Sequence, residues 1–213
     1  FSKNIVILIT QWNRHYITQR CIDYIRKYTD LADVSILDLD DNSDNEETQK
    51  WIEETSEKVL CMETNCHHNA IIRKMQEIYK DVENIKYLCA MNNDIIVTGN
   101  WLKNALQCME ENSNIVLMGM KDNNDYHTYQ YFKVPEEFRP EENKGWYEDD
   151  SKLQEYINNE FYAKRKTNAY MCVPTIDGSV MLFRNSVFKM IGTFSKDFDS
   201  YAGDSEFSAR IIK

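Results

Sequence analysis

Three consecutive residues, Asn92, Asn93 and Asp94, interrupt an apolar run that begins at Tyr87 and resumes at Ile95. A buried strand that ends in two amides and a carboxylate can hold something polar, and in open α/β sheets ligands sit just outside the carboxyl ends of strands. A carboxylate and an amide two residues apart offer hard oxygens to magnesium or manganese, and phosphate oxygens would complete the shell of such an ion. The triplet therefore points to Asp94, with Asn92, holding a divalent cation against a diphosphate. The competing reading is a polar turn between two strands with no ligand at all. Asp38 and Asp40 form a second Asp-x-Asp, on one face of a strand by alternation, and could rival the first for the cation. Asn92-Asn-Asp94 is preferred, because a strand precedes it and Asn100-Trp-Leu102 follows it. Cys61-x4-Cys66-His67-His68 has zinc-ligand residue types, but its spacing matches no common zinc pattern and adjacent histidines on an extended chain point apart.

Alternating strands and helices must position these groups. Asn4–Thr10 reads as a buried strand, Ile17–Tyr28 as an amphipathic helix and Val34–Leu39 as a second strand. That βαβ order favours a parallel, doubly wound sheet. Ser43 with Glu46, or Asp44 with Glu47, fits a capping box for a helix over 46–57 that buries Trp51 and Ile52. Asp40 and Asp41 precede that cap, at the strand end. A short strand over 59–62, a helix over 70–82 and the strand 87–91 follow, with 95–97 continuing extended. Thr98 can cap a helix reaching Met109, and 114–120 reads as a strand. Residues 121–168 break the alternation, with a helix over about 150–163; such an excursion serves as a lid or binding region, or else is disordered. Its aromatics Tyr126, Tyr129, Tyr131, Phe132, Trp146 and Tyr147 argue against disorder. Strands over 171–174 and 179–183, a helix over 185–190 stopped by Gly192, and a final helix from Ser205 complete the chain.

The 213 residues suit one domain, and 42% hydrophobic content can bury a core. A net charge of -10 argues against a nucleic-acid partner. An acidic protein that binds an anion needs a local remedy, and a metal ion supplies one. No apolar run approaches 18 residues, so no membrane span is expected. No signal peptide is visible, and six cysteines, mostly within apolar runs, read as reduced thiols of an intracellular, cytoplasmic protein. The chain opens on Phe1 rather than Met, as an excised or trimmed domain would.

Four stretches in order carry a resemblance. They are Ile5-Val-Ile-Leu-Ile-Thr-Gln-Trp-Asn-Arg14; Leu39-Asp-Asp-Asn-Ser-Asp-Asn-Glu-Glu-Thr48; Met91-Asn-Asn-Asp-Ile95 with Asn100-Trp-Leu102; and Asp177-Gly-Ser-Val-Met-Leu-Phe-Arg184, then Ile191-Gly-Thr-Phe194, then Gly203-Asp-Ser-Glu-Phe-Ser-Ala-Arg210. Across nearly its whole length the chain resembles family 2 glycosyltransferases of the GT-A fold, and its second stretch resembles spore-coat polysaccharide glycosyltransferases.

The resemblance implies an α/β, Rossmann-like mixed sheet flanked by helices in a single domain over 1–213. It implies a nucleotide-binding half over 1–98 and an acceptor-side half over 99–213, either complete as it stands or the first domain of a longer protein. It implies transfer of a sugar from a nucleotide-sugar donor, a UDP-sugar, to a hydroxyl of a glycan or glycoprotein acceptor, with inversion and with Mn2+ or Mg2+. Thr10 and Trp12 would line the nucleobase pocket, and Asp41, with Asp40 beside it, would accept a hydrogen bond from uracil. Asp94 would bind the metal with Asn92, which stands where the family often has its first Asp, and Asn93 would face the donor. Asp204 would be the general base, or else simply the cap of the last helix. Asp177, Gly178 and Glu206 would serve the acceptor side, where Tyr201 either packs under the acceptor or fills core. His67 and His68 lie where the family approaches the donor diphosphate, and the family's glycine near Asn65 is missing. A retaining transferase on the same fold, a nucleotidyltransferase, against which the glycine-free turn from Thr10 to Arg14 counts, and a non-catalytic nucleotide-sugar-binding module are the alternatives.

Overall fold

The computed structural model describes residues 3–121, 134–139, 151–156 and 170–212. The chain divides into two compact units, Phe1–Met120 with Val173–Lys213, and Lys121–Cys172.

The first unit is a six-stranded sheet between two helical layers. Its strands are β1 (Ile5–Gln11), β2 (Val34–Asp40), β3 (Val59–Cys61), β4 (Tyr87–Asn92), β5 (Leu117–Gly119) and β6 (Val180–Arg184), in the spatial order β3-β2-β1-β4-β6-β5. Strands β3, β2, β1 and β4 run parallel, and β6 runs antiparallel to both β4 and β5. The helices are α1 (His15–Tyr28), α2 (Glu46–Glu54), α3 (His68–Tyr79), α4 (Trp101–Glu111), α6 (Val187–Ile191) and α7 (Gly203–Ile212); α5 (Ser151–Tyr156) belongs to the second unit.

Strand β1 shows why the sheet is buried on both faces. Its β-branched run suits a pleated backbone, and successive side chains alternate between layers. Val6 and Leu8 pack with Ile71, Met75 and Phe183, whereas Ile5, Ile7 and Ile9 pack with Ile22, Ile25 and Met109. Each large side chain so buried is worth about 1.5–3 kcal/mol of transfer free energy. Phe183, Phe188, Phe194 and Phe207 close the first layer, with ring centroids 5.2–6.1 Å apart.

The parallel register brings three strand ends to one level, because Thr10 stands beside Leu39 on one side and Asn92 on the other. The chain leaves β1 for β2 on one side and reaches β4 on the other, so the order reverses at β1. Such a reversal opens a crevice at the carboxyl ends.

Several local expectations are corrected. No strand forms over 171–174: Met171 and Cys172 stand exposed, and Pro174 has no amide to give a ladder. Residues 95–97 are not strand, α3 begins at His68 and α7 at Gly203. Neither capping box forms. Asn45 caps α2 by accepting the Thr48 amide (2.7 Å), and Ser43 turns back to Asp40. Trp51 and Ile52 are only half-buried, and Thr48 is the buried residue of α2. Asn100, in the left-handed region (φ 59°), precedes α4 without a side-chain cap. All six cysteines are free; Cys21 and Cys89 are buried, but Cys61 and Cys172 are exposed.

In the second unit Phe138 packs on Tyr156, ring centroids 5.2 Å apart, and Leu153 is buried. The expected helix is described over its Ser151–Tyr156 portion. The six aromatics singled out in the excursion, and residues 157–163, lie outside the described residues.

Candidate active site

The end of β1 supplies Thr10 and Trp12. The Trp12 ring is 52% exposed, open for stacking. Thr10 Oγ1 and His68 Nδ1 share a hydrogen bond of 2.7 Å. Asn13 adopts the left-handed region (φ 56°) and binds the segment beyond β2: its Oδ1 accepts the Asp44 and Asn45 amides at 2.9 and 3.1 Å. This side-chain clasp holds the loops after β1 and β2 side by side.

The end of β2 supplies Asp40 and Asp41, both buried and both engaged. Asp40 accepts the Ser43 amide (2.9 Å) and the Ser43 hydroxyl. Asp41, 6% exposed, accepts the Cys66 amide at 2.8 Å and the His67 amide at 2.9 Å, one on each oxygen. It thereby holds the segment entering α3, where His67 is itself left-handed (φ 68°). Each oxygen keeps lone-pair capacity for a further donor. Asp38 is 1% exposed and engaged with Gln11, so this second Asp-x-Asp is sealed in the sheet and does not face the crevice as a pair.

The end of β4 supplies Asn92, Asn93 and Asp94. Asp94 lies at the solvent boundary, yet surrounding protein raises its pKa, partly offset by its own amide and by Arg14. Solvent access limits that desolvation. Among the described residues no three His, Cys, Asp or Glu side chains converge into a metal cage. The donor set is one carboxylate with neighbouring amides. That suits a hard cation that keeps its waters and takes phosphate oxygens, the usual habit of magnesium, and does not suit a thiophilic or cage-bound metal.

The start of α7 supplies Asp204. Its Oδ2 accepts the Gly178 amide (2.8 Å) and its Oδ1 the Ser205 amide (2.7 Å). Gly178 belongs to the turn before β6. In that turn Asp177 Oδ1 accepts the Ser179 amide (2.8 Å), and the Ser179 carbonyl accepts the Asn92 amide (3.0 Å). Two hydrogen-bonded steps therefore tie the Asp204 carboxylate to the end of β4. His68 joins the same group of charges. Burial lowers its pKa, and Asp204, Asp177 and Asp41 pull it back up. His68 keeps some surface, and it lies near enough to Asp204, Asp177 and Asp41 to feel the charge of all three.

Hydrogen bonds and the charges felt by His68 thus link Thr10, Asp41, His68, Asp177, Gly178 and Asp204 into one group, with Asn92 tied to it through the Ser179 carbonyl. Glu206 is taken up by Arg210 (2.6 and 2.8 Å), whose guanidinium also donates to the Ile191 and Thr193 carbonyls. Tyr201 is 86% exposed, so it fills no core. Sequence reasoning passed over Arg14, whose only signal was its place at the end of the first stretch. A groove of about 580 Å³ lies elsewhere, along α3 and the segment after α6, lined by residues that include Cys66, Lys74 and Lys196. None of the crevice carboxylates lines it.

Sheet order, the antiparallel β6 and the carboxylates at the strand ends define a GT-A glycosyltransferase fold. Solved structures share it. The 1-349 portion of S. aureus TarS in complex with UDP matches with TM-score 0.59 and 15% identity, over 96% of this chain and 54% of that one. A mannosyltransferase, PcManGT from Pyrobaculum calidifontis, in complex with GDP-Man and Mn2+, matches with TM-score 0.63 and 12% identity, over 99% and 52%. GalNAc-T7 with UDP, GalNAc and Mn2+ matches with TM-score 0.62 and 15% identity, over 98% and 40%. The chain thus spans about half, or less, of the length of these proteins. Comparison by sequence with curated proteins finds no relative. Residues 6–192 match the sequence profile of Glycosyl transferase family 2, and the chain belongs to that family.

Proposed function

We propose that this domain transfers a sugar from a nucleoside diphosphate sugar, with UDP as the nucleotide, to a hydroxyl of a glycan or glycoprotein acceptor, with inversion. The observation that carries this reading is the placement of Asp204: two backbone amides fix its carboxylate, and the 177–179 turn ties it to the end of β4.

The donor half is residues 1–98. Trp12 stacks on the base, Asp41 accepts from the uracil ring with Asp40 supporting its loop, and Thr10 lines the pocket. Asp94 and Asn92 hold a divalent cation, Mn2+ or Mg2+, with Asn93 beside them; the bound cation would offset charge on the leaving diphosphate as a Lewis acid. Arg14 adds positive charge that Asp94 feels. UDP in two of the three structures above supports UDP here, and Mn2+ in two of them supports the cation.

The acceptor half is residues 99–213. Asp204 takes the proton as the acceptor oxygen attacks the anomeric carbon. The bond from that carbon to the phosphate oxygen breaks, and its electron pair leaves with the nucleoside diphosphate. A single base on the face opposite the leaving group gives inversion, with an oxocarbenium-like transition state by analogy with glycoside hydrolysis. Gly178 and Asp177 hold the base and its turn. Tyr201, bare and three residues before Asp204, offers a ring face to the acceptor. Glu206 steadies α7 through Arg210.

Asp204→Asn is expected to leave UDP binding unchanged and to cut transfer by about a hundredfold or more. Near-normal transfer would remove Asp204 as the base. A binding module without turnover is the second reading, favoured by the single carboxylate at 92–94; it gains ground if no donor sugar is turned over by the wild-type chain.

A further inference from the structure

A chain of hydrogen bonds runs beneath the crevice from β4 to β2. Asn93 Nδ2 donates to Thr18 Oγ1 (3.0 Å), Thr18 Oγ1 donates to Gln11 Oε1 (3.0 Å), and Gln11 Nε2 donates to Asp38 Oδ2 (2.6 Å). Thr18, Gln11 and Asp38 are all buried. The direction is consistent along the whole chain: the single Thr18 proton has Gln11 Oε1 at 3.0 Å as its nearer acceptor and the Arg14 carbonyl at 3.3 Å as its farther one, and Asp38 is the terminal acceptor. Cys21, one turn further along α1, has its Sγ 3.9 Å from the Asn92 carbonyl oxygen, so the same helix also meets the backbone of the corner.

The nucleobase contacts and the base proposed above use none of Thr18, Gln11 or Asp38. A buried carboxylate is costly unless something requires it. Here desolvation, with Asp40's charge next, drives the Asp38 carboxyl well above the usual carboxylate range, against a small pull from the Leu39 amide. Its Oδ1 makes no hydrogen bond among the described residues. An apolar residue would serve better if position 38 only filled core. What the group does instead is anchor Gln11, which anchors Thr18, which anchors Asn93.

We propose that Asp38, Gln11 and Thr18 form a positioning relay that fixes Asn93 and, through it, holds the Asn92–Asp94 corner in the geometry that binds the cation of the donor complex. Asn93 sits between the two proposed ligands, so fixing its side chain restricts the backbone on both sides. Partners of this outer kind orient metal ligands, and their loss typically weakens metal affinity about 10–100-fold. The inference rests on the reading of Asp94 and Asn92 as cation ligands.

The test is calorimetric titration of UDP into the 213-residue chain over a MnCl2 series, with folding checked by circular dichroism. Thr18→Val is isosteric and removes the middle of the relay. Asp38→Leu removes its end, and Asp38→Asn keeps an oxygen for Gln11. Thr18→Val and Asp38→Leu are expected to raise the manganese requirement for UDP binding about tenfold or more, the double variant no further than either single one, and Asp38→Asn to stay near wild type. Should Asp38→Leu fail to fold, Thr18→Val decides alone. Asp94→Ala separates the two claims. If it abolishes manganese-dependent binding while folded Thr18→Val and Asp38→Leu keep the wild-type requirement, the relay is overturned and the cation site stands. If Asp94→Ala itself keeps manganese-dependent binding, both are overturned. Asp38→Asn behaving like Asp38→Leu would overturn the acceptor role of Asp38.

Discussion

At the scale of single residues, the site works by holding carboxylates with backbone amides. Asp41 is held by Cys66 and His67, and Asp204 by Gly178 and Ser205. Amides of this kind fix direction without adding a competing side-chain charge, so each oxygen can still meet a ligand. Gly178 shows how tight the arrangement is. A Cβ there would lie 3.2 Å from Asp204 Oδ2, closer than ordinary van der Waals contact. The turn or the carboxylate would have to give by a few tenths of an ångström. Because a 1 Å misplacement can cost about a hundredfold, Gly178→Ala is expected to slow transfer about tenfold while UDP affinity stays unchanged. Calorimetry beside a steady-state assay measures both. A matching loss of UDP affinity would mean that the turn serves the donor instead.

At the scale of elements, α7 carries Asp204 outward and Phe207 inward. Phe207 is fully buried against Phe183, Phe188 and Phe194. Phe207→Ala is expected to cost about 3–5 kcal/mol, read by urea denaturation; a loss below about 1 kcal/mol would show that α7 is not docked by this cluster. The elements were largely legible in the sequence, because β1 and β4 are continuous apolar runs of strand length and α1 carries a plain period of 3.6. Their exact ends were less so. Ser43, Asp44 and Asn45 can all cap a helix; Asn45 does so, while Asn13, thirty-two residues away, holds its amide and Ser43 is drawn to Asp40. The strand expected over 171–174 found no partner. The motif residues at the strand ends could be read from their order along the chain. The relay from Asn93 to Asp38 could not, because its links span 75, 7 and 27 residues and exist only once α1 packs on the sheet. Glu206 looked like part of an acidic motif, but its i, i+4 partner Arg210 claims it.

At the scale of the whole molecule, a chain of net charge -10 is expected to bind a diphosphate. The Coulomb cost must be met locally, and the structure offers Arg14, whose charge pulls the Asp94 pKa down, together with a strand end whose donor set suits a hard cation. Among the described residues no helix is long and apolar enough to cross a membrane. The measurement that tests the central claim most directly is calorimetric binding of UDP to the wild-type chain, once with manganese and once with chelator. The expected result is binding in manganese that the chelator abolishes. A folded chain that binds no UDP in either condition, or binds it equally in both, would contradict the account of the site.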